Sequence, residues 1–421
     1  MEFNESQKRA VRHCDGPMLL LAGPGSGKTT VITHRIKYMT EEHGVRPDNI
    51  LVITFTKAAA NEMKGRFQEL CPGTRGVTFG TFHSVFFWML RNAYNYTAAN
   101  IVTDSEKYGA IRDSIDRHGF RYDSQEDFAK NVVGEIGNVK SERVSLENYE
   151  STTMKLEDFR IVYDEYENFL RRCGKIDFDD MLVFTYELLS ERPDILKMWQ
   201  NKFRYILIDE FQDINMIQYD IVKLLAGERQ NVFSVGDDDQ SVYGFRGAAP
   251  AIMKKFPEDF HGTVIEYLNV NYRCSYDIVE CSKRIIQNNR DRYEKQLRSA
   301  FAAGQSDRVH IVKTDSMTEQ NKKIIDRITE LNRAGIPYRE MAIIFRTNTE
   351  PRALASKLME NGIPFLMKDN IPNIFTHFLA ENIFDYIRLA RGSRDRRTVL
   401  RIINKPNRYI SCLLYTSDAA D

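Results

Sequence analysis

Nine residues near the start, AGPGSGKTT at 22–30, alternate glycine with small residues and end on a lysine and two hydroxyls. They satisfy the Walker A pattern: Ala22, then Gly23, Pro24, Gly25 and Ser26, then Gly27, Lys28 and Thr29. The glycines let the backbone curl so that its N–H groups face phosphate oxygens, and a helix opening here adds positive potential. Lys28 is placed to reach the β- and γ-phosphates of a nucleotide, and Thr29 to ligate Mg2+. Such a loop needs an acidic partner at a neighbouring strand end, and YILIDEFQD at 205–213 supplies it. Asp209 suits the magnesium shell, and Glu210 suits polarising an attacking water. A third group, VGDDDQSVYGFRGA at 235–248, runs from acids through Gln240 to Tyr243, Phe245 and Arg246. The two aromatics can stack on bases and the arginine can contact phosphate or a base face. Taken alone, aromatics so placed belong to a core more often than to a ligand.

These side chains need strands to carry them. Apolar runs at 17–22, 50–55, 205–210, 232–236 and 264–268 mostly lack polar alternation, as parallel strands covered on both faces do. Helical patterns at 28–42 and 57–70 lie between them, so the expected fold is α/β, a parallel sheet with right-handed crossovers. From 89 to 192 helix-period segments take over, read as a helical insertion that splits a first domain of 1–88 and 193–274. From 275 to 411 a second α/β unit is expected: helix 275–290, strand 309–314, helix 317–334, strand 341–346, helix 350–361. The last ten residues, CLLYTSDAAD at 412–421, match neither texture and are expected to be translated library adaptor, not native sequence.

The chain has 421 residues, 42% hydrophobic and 28% charged, enough for a sizeable core and about three domains. Lys+Arg and Asp+Glu are both 59, so no bulk charge draws it to nucleic acid or membrane, and any polyanion site must be local. MEFNESQKRAVRH carries no signal-peptide core, and Met18–Ala22 is far too short to span a bilayer. Six cysteines without a CxxC pair, and eight scattered histidines without HExxH, exclude a disulfide scaffold and a zinc ribbon. A cytoplasmic protein with reduced thiols is expected, and no membrane partner. The arginine-rich stretch 388–408 reads equally as a DNA-backbone guide or a solvated helix face.

The ordered series of the Walker A loop, ITFTKAAANEMKGR at 53–66, GTFHSVF at 80–86, DFDDML at 177–182, IDEFQD at 208–213, VGDDDQSVYGFRGA and NVNYRCS at 269–275 resembles the UvrD/Rep/PcrA branch of superfamily 1 helicases. FNESQKRAV at 3–11 looks like that family's upstream Q motif, and FRTN at 345–348, Arg352 and RIINKPNR at 401–408 like its second RecA-like domain. The resemblance covers residues 1–411. It implies RecA-like folds and a 3′→5′ motor that uses ATP and Mg2+, moves on single-stranded DNA and unwinds duplex DNA. By the same resemblance Gln7 reads adenine, Tyr272 stacks on it, and residues 22–30 cradle the phosphates. Gln240 links nucleotide state to DNA grip, and Arg273 is an arginine finger. Phe55, Thr56, Phe82, His83, Tyr243, Phe245, Arg246, Arg346 and Asn348 fall in segments that contact single-stranded DNA. Without the family, His83 reads as a structural histidine and Arg273 as a surface arginine.

Two departures stand out. Thr30 occupies a place where close relatives usually carry an arginine, which puts one adenine contact in doubt. The chain also ends before the family's fifth and sixth motifs, so it is expected to hold nearly all of one ATP-site face and part of the other. Three other readings stay open: the motor part of a helicase–nuclease subunit, a nucleotide- and DNA-binding fragment without turnover, and an ATPase acting on something other than DNA.

Overall fold

The computed structural model describes residues 3–120, 125–142, 144–147, 149–242, 251–304, 309–347, 350–368, 378–406, 408 and 410. They fall into two compact units, Met1–Val309 and His310–Asp421. In the first, five strands form where the apolar runs lie: β1 (Met18–Ala22), β2 (Ile50–Thr54), β4 (Tyr205–Ile208), β5 (Val232–Gly236) and β6 (Val264–Leu268). A sixth, β3 (Thr78–Thr81), was not expected, because TFGT is short and polar at both ends. All six run parallel in the order β3-β2-β4-β5-β1-β6.

Alternate residues of each strand face opposite layers. Leu19, Leu21, Leu51, Ile53, Ile206 and Ile208 pack under α4 (Phe82–Tyr94), α8 (Phe178–Glu191), α9 (Pro193–Lys202), α10 (Met216–Ala226) and α11 (Ala251–Asp259). Leu20, Ala22, Val52, Leu207, Phe233 and Val235 pack under α1 (Glu5–Arg12), α2 (Lys28–Glu41) and α3 (Lys57–Leu70). Burial on both faces explains why the strands read as unbroken apolar runs.

Between 88 and 192 the described residues hold helices and one isolated bridge, Ile101 to Ile176. Here α5 (Asp104–His118), α6 (Gln125–Glu142) and α7 (Leu156–Cys173) share a core of their own, with Ile111, Ile115, Val132, Ile136, Phe159 and Val162 at its centre. After β6 the chain adds β7 (Val270–Asn271), α12 (Tyr276–Ile286) and β8 (Arg298–Ser299), with β7 and β8 paired in parallel.

The second unit carries α13 (Met317–Arg333), α14 (Pro351–Glu360), α15 (Phe378–Ala390) and α16 (Arg396–Ile402). Ile328, Leu354, Leu358 and Ile363 form its small core. The strands expected at 309–314 and 341–346 do not form. Among the described residues no neighbour offers them a ladder, and Ile311 and Ile344 are left 87% and 92% exposed. An apolar run supplies strand propensity, but a strand exists only when something pairs with it. No helix among the described residues is long and apolar enough to cross a membrane. The tail at 412–421 lies outside the described residues.

Candidate nucleotide site

Because the strands are parallel, their C-terminal ends share one edge, the place where open α/β sheets bind ligands. There β1 gives way to the 23–27 loop, β4 to Asp209 and Glu210, β5 to Asp237–Gln240, β2 to Phe55 and Thr56, and β3 to Phe82 and His83.

The loop is held in a shape that glycine alone tolerates. Gly25 and Gly27 have φ of 65° and 87°, in the left-handed region. A Cβ on Gly25 would lie 2.7 Å from Arg273 Cβ and 2.8 Å from Asn271 Oδ1. Buried Ser26 donates from its hydroxyl to Gly23 O at 2.6 Å and closes the turn. Lys28 and Thr29 then begin α2, whose N-cap Gly27 brings no side chain, so the first amides of the helix stay open to an anion. Thr30 lies in the same first turn, with its carbonyl accepting from Thr33 Oγ1 and within 2.9 Å of His34 Nδ1.

Across the loop, Lys28 Nζ donates to Glu210 Oε2 at 2.6 Å. Glu210 is in the left-handed region, φ 52° and ψ 47°, a conformation rare for this residue. Burial raises its proton affinity, but Lys28 and a hydrogen bond from Gln212 outweigh that and hold it below the usual glutamate value. Asp209 is 6% exposed, and its Oδ1 has no hydrogen-bond partner. Burial first, then the Glu210 charge, push it up to about 6. Asp213 is raised to about 6 by the same two causes, and its Oδ1 is unpartnered too.

Gln212, in a quoted motif but given no role by it, is the hinge of this arrangement. Its amide nitrogen donates to Glu210 Oε2 at 3.0 Å, and its carbonyl accepts the Asp237 N–H at 3.0 Å. It therefore joins the end of β4 to the end of β5. A Cβ on Gly236 would meet Gln212 Oε1 at 2.8 Å, which accounts for glycine there.

On the loop's other flank, α1 begins with a reciprocal cap between Asn4 and Gln7. The Gln7 amide nitrogen donates to Ser26 O at 3.0 Å, and its oxygen accepts the Asn4 N–H at 3.1 Å. Gln7 thus ties α1 to the loop. Asn4 in turn donates to the Tyr272 hydroxyl at 3.0 Å. Tyr272 is exposed, and its N–H donates to Gly25 O at 2.9 Å. Buried Asn271 accepts from the N–H groups of Arg273 and Cys274 at 2.8 and 2.7 Å; Arg273 is exposed, with its Cβ beside Gly25. Arg35, not singled out in the sequence, lies fully buried over Phe233 at 4.2 Å and donates to Ala10 O and Cys14 O, which fixes α1.

Gln240 closes the short turn Asp238–Gln240 and donates to Asp237 Oδ2 at 2.6 Å. It borders a cavity of about 300 Å³ that also touches Gly23, Pro24, Leu268, Ile286 and Leu297. Asp237, Asp238 and Asp239 lie close enough to share one ion. Lys295 and Arg292 already neutralise them.

The residues expected to face DNA divide. Phe55 is half-buried, and Thr56 caps α3 by accepting from Ala59 N–H at 3.1 Å. His83 is half-buried with its ring edge-on to Phe178, and burial holds its pKa below the usual value. Phe82, however, is 2% exposed and packs on Phe86 in the core. As the first residue of α4 it points inward, so it offers no face to a base. Arg346 is exposed in the second unit, where its N–H donates to Glu350 at 3.3 Å. Tyr243, Phe245, Arg246 and Asn348 lie outside the described residues.

Comparison with known proteins agrees with this geometry. Residues 3–261 match the profile of the UvrD/REP helicase N-terminal domain, and residues 266–414 that of the UvrD-like helicase C-terminal domain. A protein named ATP-dependent DNA helicase PcrA from Staphylococcus epidermidis is 35% identical over 97% of this chain and 56% of its own length. One of the same name from Staphylococcus aureus is 34% identical over 96% of the chain and 56% of its own. The chain spans about half the length of these curated relatives. With the glycine loop and the Asp-Glu pair on one sheet edge and both helicase profiles matched, this chain belongs to the UvrD/REP helicase family.

Proposed function

We propose that this chain supplies the ATP-binding face of a DNA helicase, a motor that couples ATP hydrolysis to 3′→5′ movement along single-stranded DNA and to duplex unwinding. The observation that carries the reading is the Lys28–Glu210 ion pair at 2.6 Å across the mouth of the glycine loop. A cation that belongs on phosphate oxygens is here parked on the carboxylate that belongs on water. When the triphosphate enters, Lys28 moves to its β- and γ-oxygens. Glu210 then loses the charge that lowered its pKa, burial dominates, and its carboxylate becomes the stronger proton acceptor for the attacking water.

Thr29 and Asp209 are the residues that would hold Mg2+, and the buried, unpartnered Asp209 Oδ1 suits a cation ligand. When bound, the metal neutralises phosphate charge. Arg273 and Gln240 serve the γ-phosphate, the first by charge and the second by hydrogen bonding. Tyr272 flanks the adenine, and Gln7, whose amide is held here by Ser26 and Asn4, reads it once those bonds give way. Single-stranded DNA crosses the same sheet edge at Thr56 and His83, with Tyr243, Phe245 and Arg246 supplying the stacking and phosphate contacts that tolerate any sequence. Arg346 and Asn348 extend the track.

In this reading residues 1–88 and 193–274 are the first RecA-like domain, 89–192 its helical insertion, and 275–411 part of the second. Hydrolysis lets the two RecA-like domains part, as in other closure-driven switches. A cytoplasmic location goes with it. The test uses protein of the relatives' full length on duplexes with a single-stranded tail. ATP-dependent strand displacement is expected with a 3′ tail and not with a 5′ tail; equal activity on both would remove the assigned polarity.

A further inference from the structure

Three consecutive carboxylates, Asp237, Asp238 and Asp239, stand between β5 and Gln240, and one lysine from far along the chain meets all of them. Lys295 is half-buried, its side chain only 5% exposed, and bonds to Asp237 Oδ1, to Asp238 Oδ1 at 2.5 Å and to Asp239 Oδ2 at 2.8 Å. Arg292 adds a two-pronged contact to Asp239, both prongs at 2.6 Å, and the Tyr293 N–H donates to Asp238 at 2.6 Å. Burial works against the lysine's charge, and the Asp237 carboxylate outweighs it, so the proton stays.

The two oxygens of Asp237 are divided. Oδ1 takes Lys295 and Oδ2 takes the Gln240 amide at 2.6 Å, while its N–H donates to Gln212. The aim of Gln240 is thereby tied to the lysine. The lysine's own segment leads elsewhere. Two residues on, Leu297 Cδ1 lies 2.7 Å from where a Cβ on Gly23 would be. β8 follows and pairs with β7, with Arg298 N–H on Asn269 O and Ala300 N–H on Asn271 O, both at 2.8 Å. Asn271 and Tyr272 hold the Arg273 segment on Gly25. One cation thus anchors both the loop bearing Gln240 and the segment bearing Arg273.

We propose that Lys295 is a positioning residue that locks the Gln240 turn and the Arg273 segment into one body, so that both reach the γ-phosphate together. The proposal rests on the ATPase reading above for its purpose, and on the ion-pair geometry for its existence. A structural peg for the acids alone would stabilise the 237–240 turn without affecting the contact of Tyr272 with Gly25, and that difference can be measured.

The test is hydrogen–deuterium exchange on this chain, wild type against Lys295→Met and Lys295→Arg. In Lys295→Met, peptides carrying the Gln240 amide, bonded to Asp237 O, and the Tyr272 amide, bonded to Gly25 O, should both exchange about tenfold faster or more. Those of α2 should be unchanged, and Lys295→Arg should restore most of the protection at both places. A change confined to the 237–241 peptides, or none, overturns the proposal. If Lys295→Met does not fold, the double variant Lys295→Met with Asp238→Asn removes the cation with one of its acids and is read the same way. In protein of the relatives' length, Lys295→Met should lower kcat for ATP about tenfold or more with KM within about twofold; an unchanged kcat overturns the coupling. A wild-type protein without ATPase activity would refute the motor reading instead, and the exchange pattern would still decide the role of Lys295.

Discussion

Asp209 and Glu210 are neighbours in sequence with opposite electrostatic fates. Glu210 has Lys28 and Gln212 on its carboxylate and is held ionised. Asp209 has burial and its neighbour's charge against it and is pushed up to about 6. Its folded pKa exceeds the unfolded value of about 3.9, so the native state binds more protons between about pH 4 and 6. The sign follows: Asp209 weakens the fold as pH rises through that window, and the penalty is complete at neutral pH. Asp209→Asn should therefore be more stable than the wild type at pH 7.5, by about 1–3 kcal/mol, with the gap closing towards pH 4. Urea unfolding at the two pH values checks this, and an equal gap at both would contradict the burial account. The meeting of Lys28, Asp209 and Glu210 on one sheet edge was legible, because the roles proposed for them each demand a particular charge. Gln212 and Asn271 sat inside quoted motifs without a role, because bridging two strand ends has no local signature. Phe82 was assigned to DNA by its motif, yet α4 turns it into the core.

Helix starts and strand ends place those groups. Thr81 caps α4 and Asp177 caps α8, each in a reciprocal box with the residue three on. Asp177 does more than cap. Lys140 of α6 reaches Asp180 at 2.6 Å, Glu167 of α7 at 2.6 Å and Asp177 at 3.1 Å, and Tyr166 donates to Asp177. This cluster pins two helices of the insertion to α8, and α8 packs against the sheet through Leu182 and Leu189. Burial and the Asp177 charge raise Asp180 to about 7, with Lys140 pulling the other way. Lys140→Met should cost about 3–5 kcal/mol, because it leaves Asp180 and Glu167 without their cation and Asp177 with Lys107 alone, at 3.5 Å. Thermal and urea unfolding would register this, and Lys140→Met with Asp180→Asn should recover part of it. A loss below about 1 kcal/mol would contradict the account. The DFDDML segment was legible as a motif, but its partner lysine some forty residues earlier was not. The buried central strands were legible as apolar runs; edge strand β3 was not, since it carries threonine at both ends. The runs at 309–314 and 341–346 mislead for the complementary reason, having strand propensity without a partner.

At the level of the molecule, the sheet edge gathers every element of the first unit that the motor reading needs: loop, acids, sensor turn and the Arg273 segment. Its logic is an exchange of partners. In the proposed motor, Lys28 leaves Glu210 for phosphate, and Glu210, freed, takes a proton from the attacking water. On the proposed DNA path, Thr56 and His83 stand at the ends of β2 and β3, one or two strands from the acids after β4, so the two ligands should favour one another. The net charge of zero fits the proposal of a grip on DNA local to one edge and not spread over the surface. The most direct test is steady-state ATP hydrolysis by protein of the relatives' length, with and without single-stranded DNA, in the wild type and in Glu210→Gln. The partner exchange predicts hydrolysis stimulated by DNA in the wild type, and a loss of about a hundredfold or more in Glu210→Gln with ATP binding retained. Turnover that ignores DNA, or that survives the loss of the Glu210 carboxylate, would contradict it.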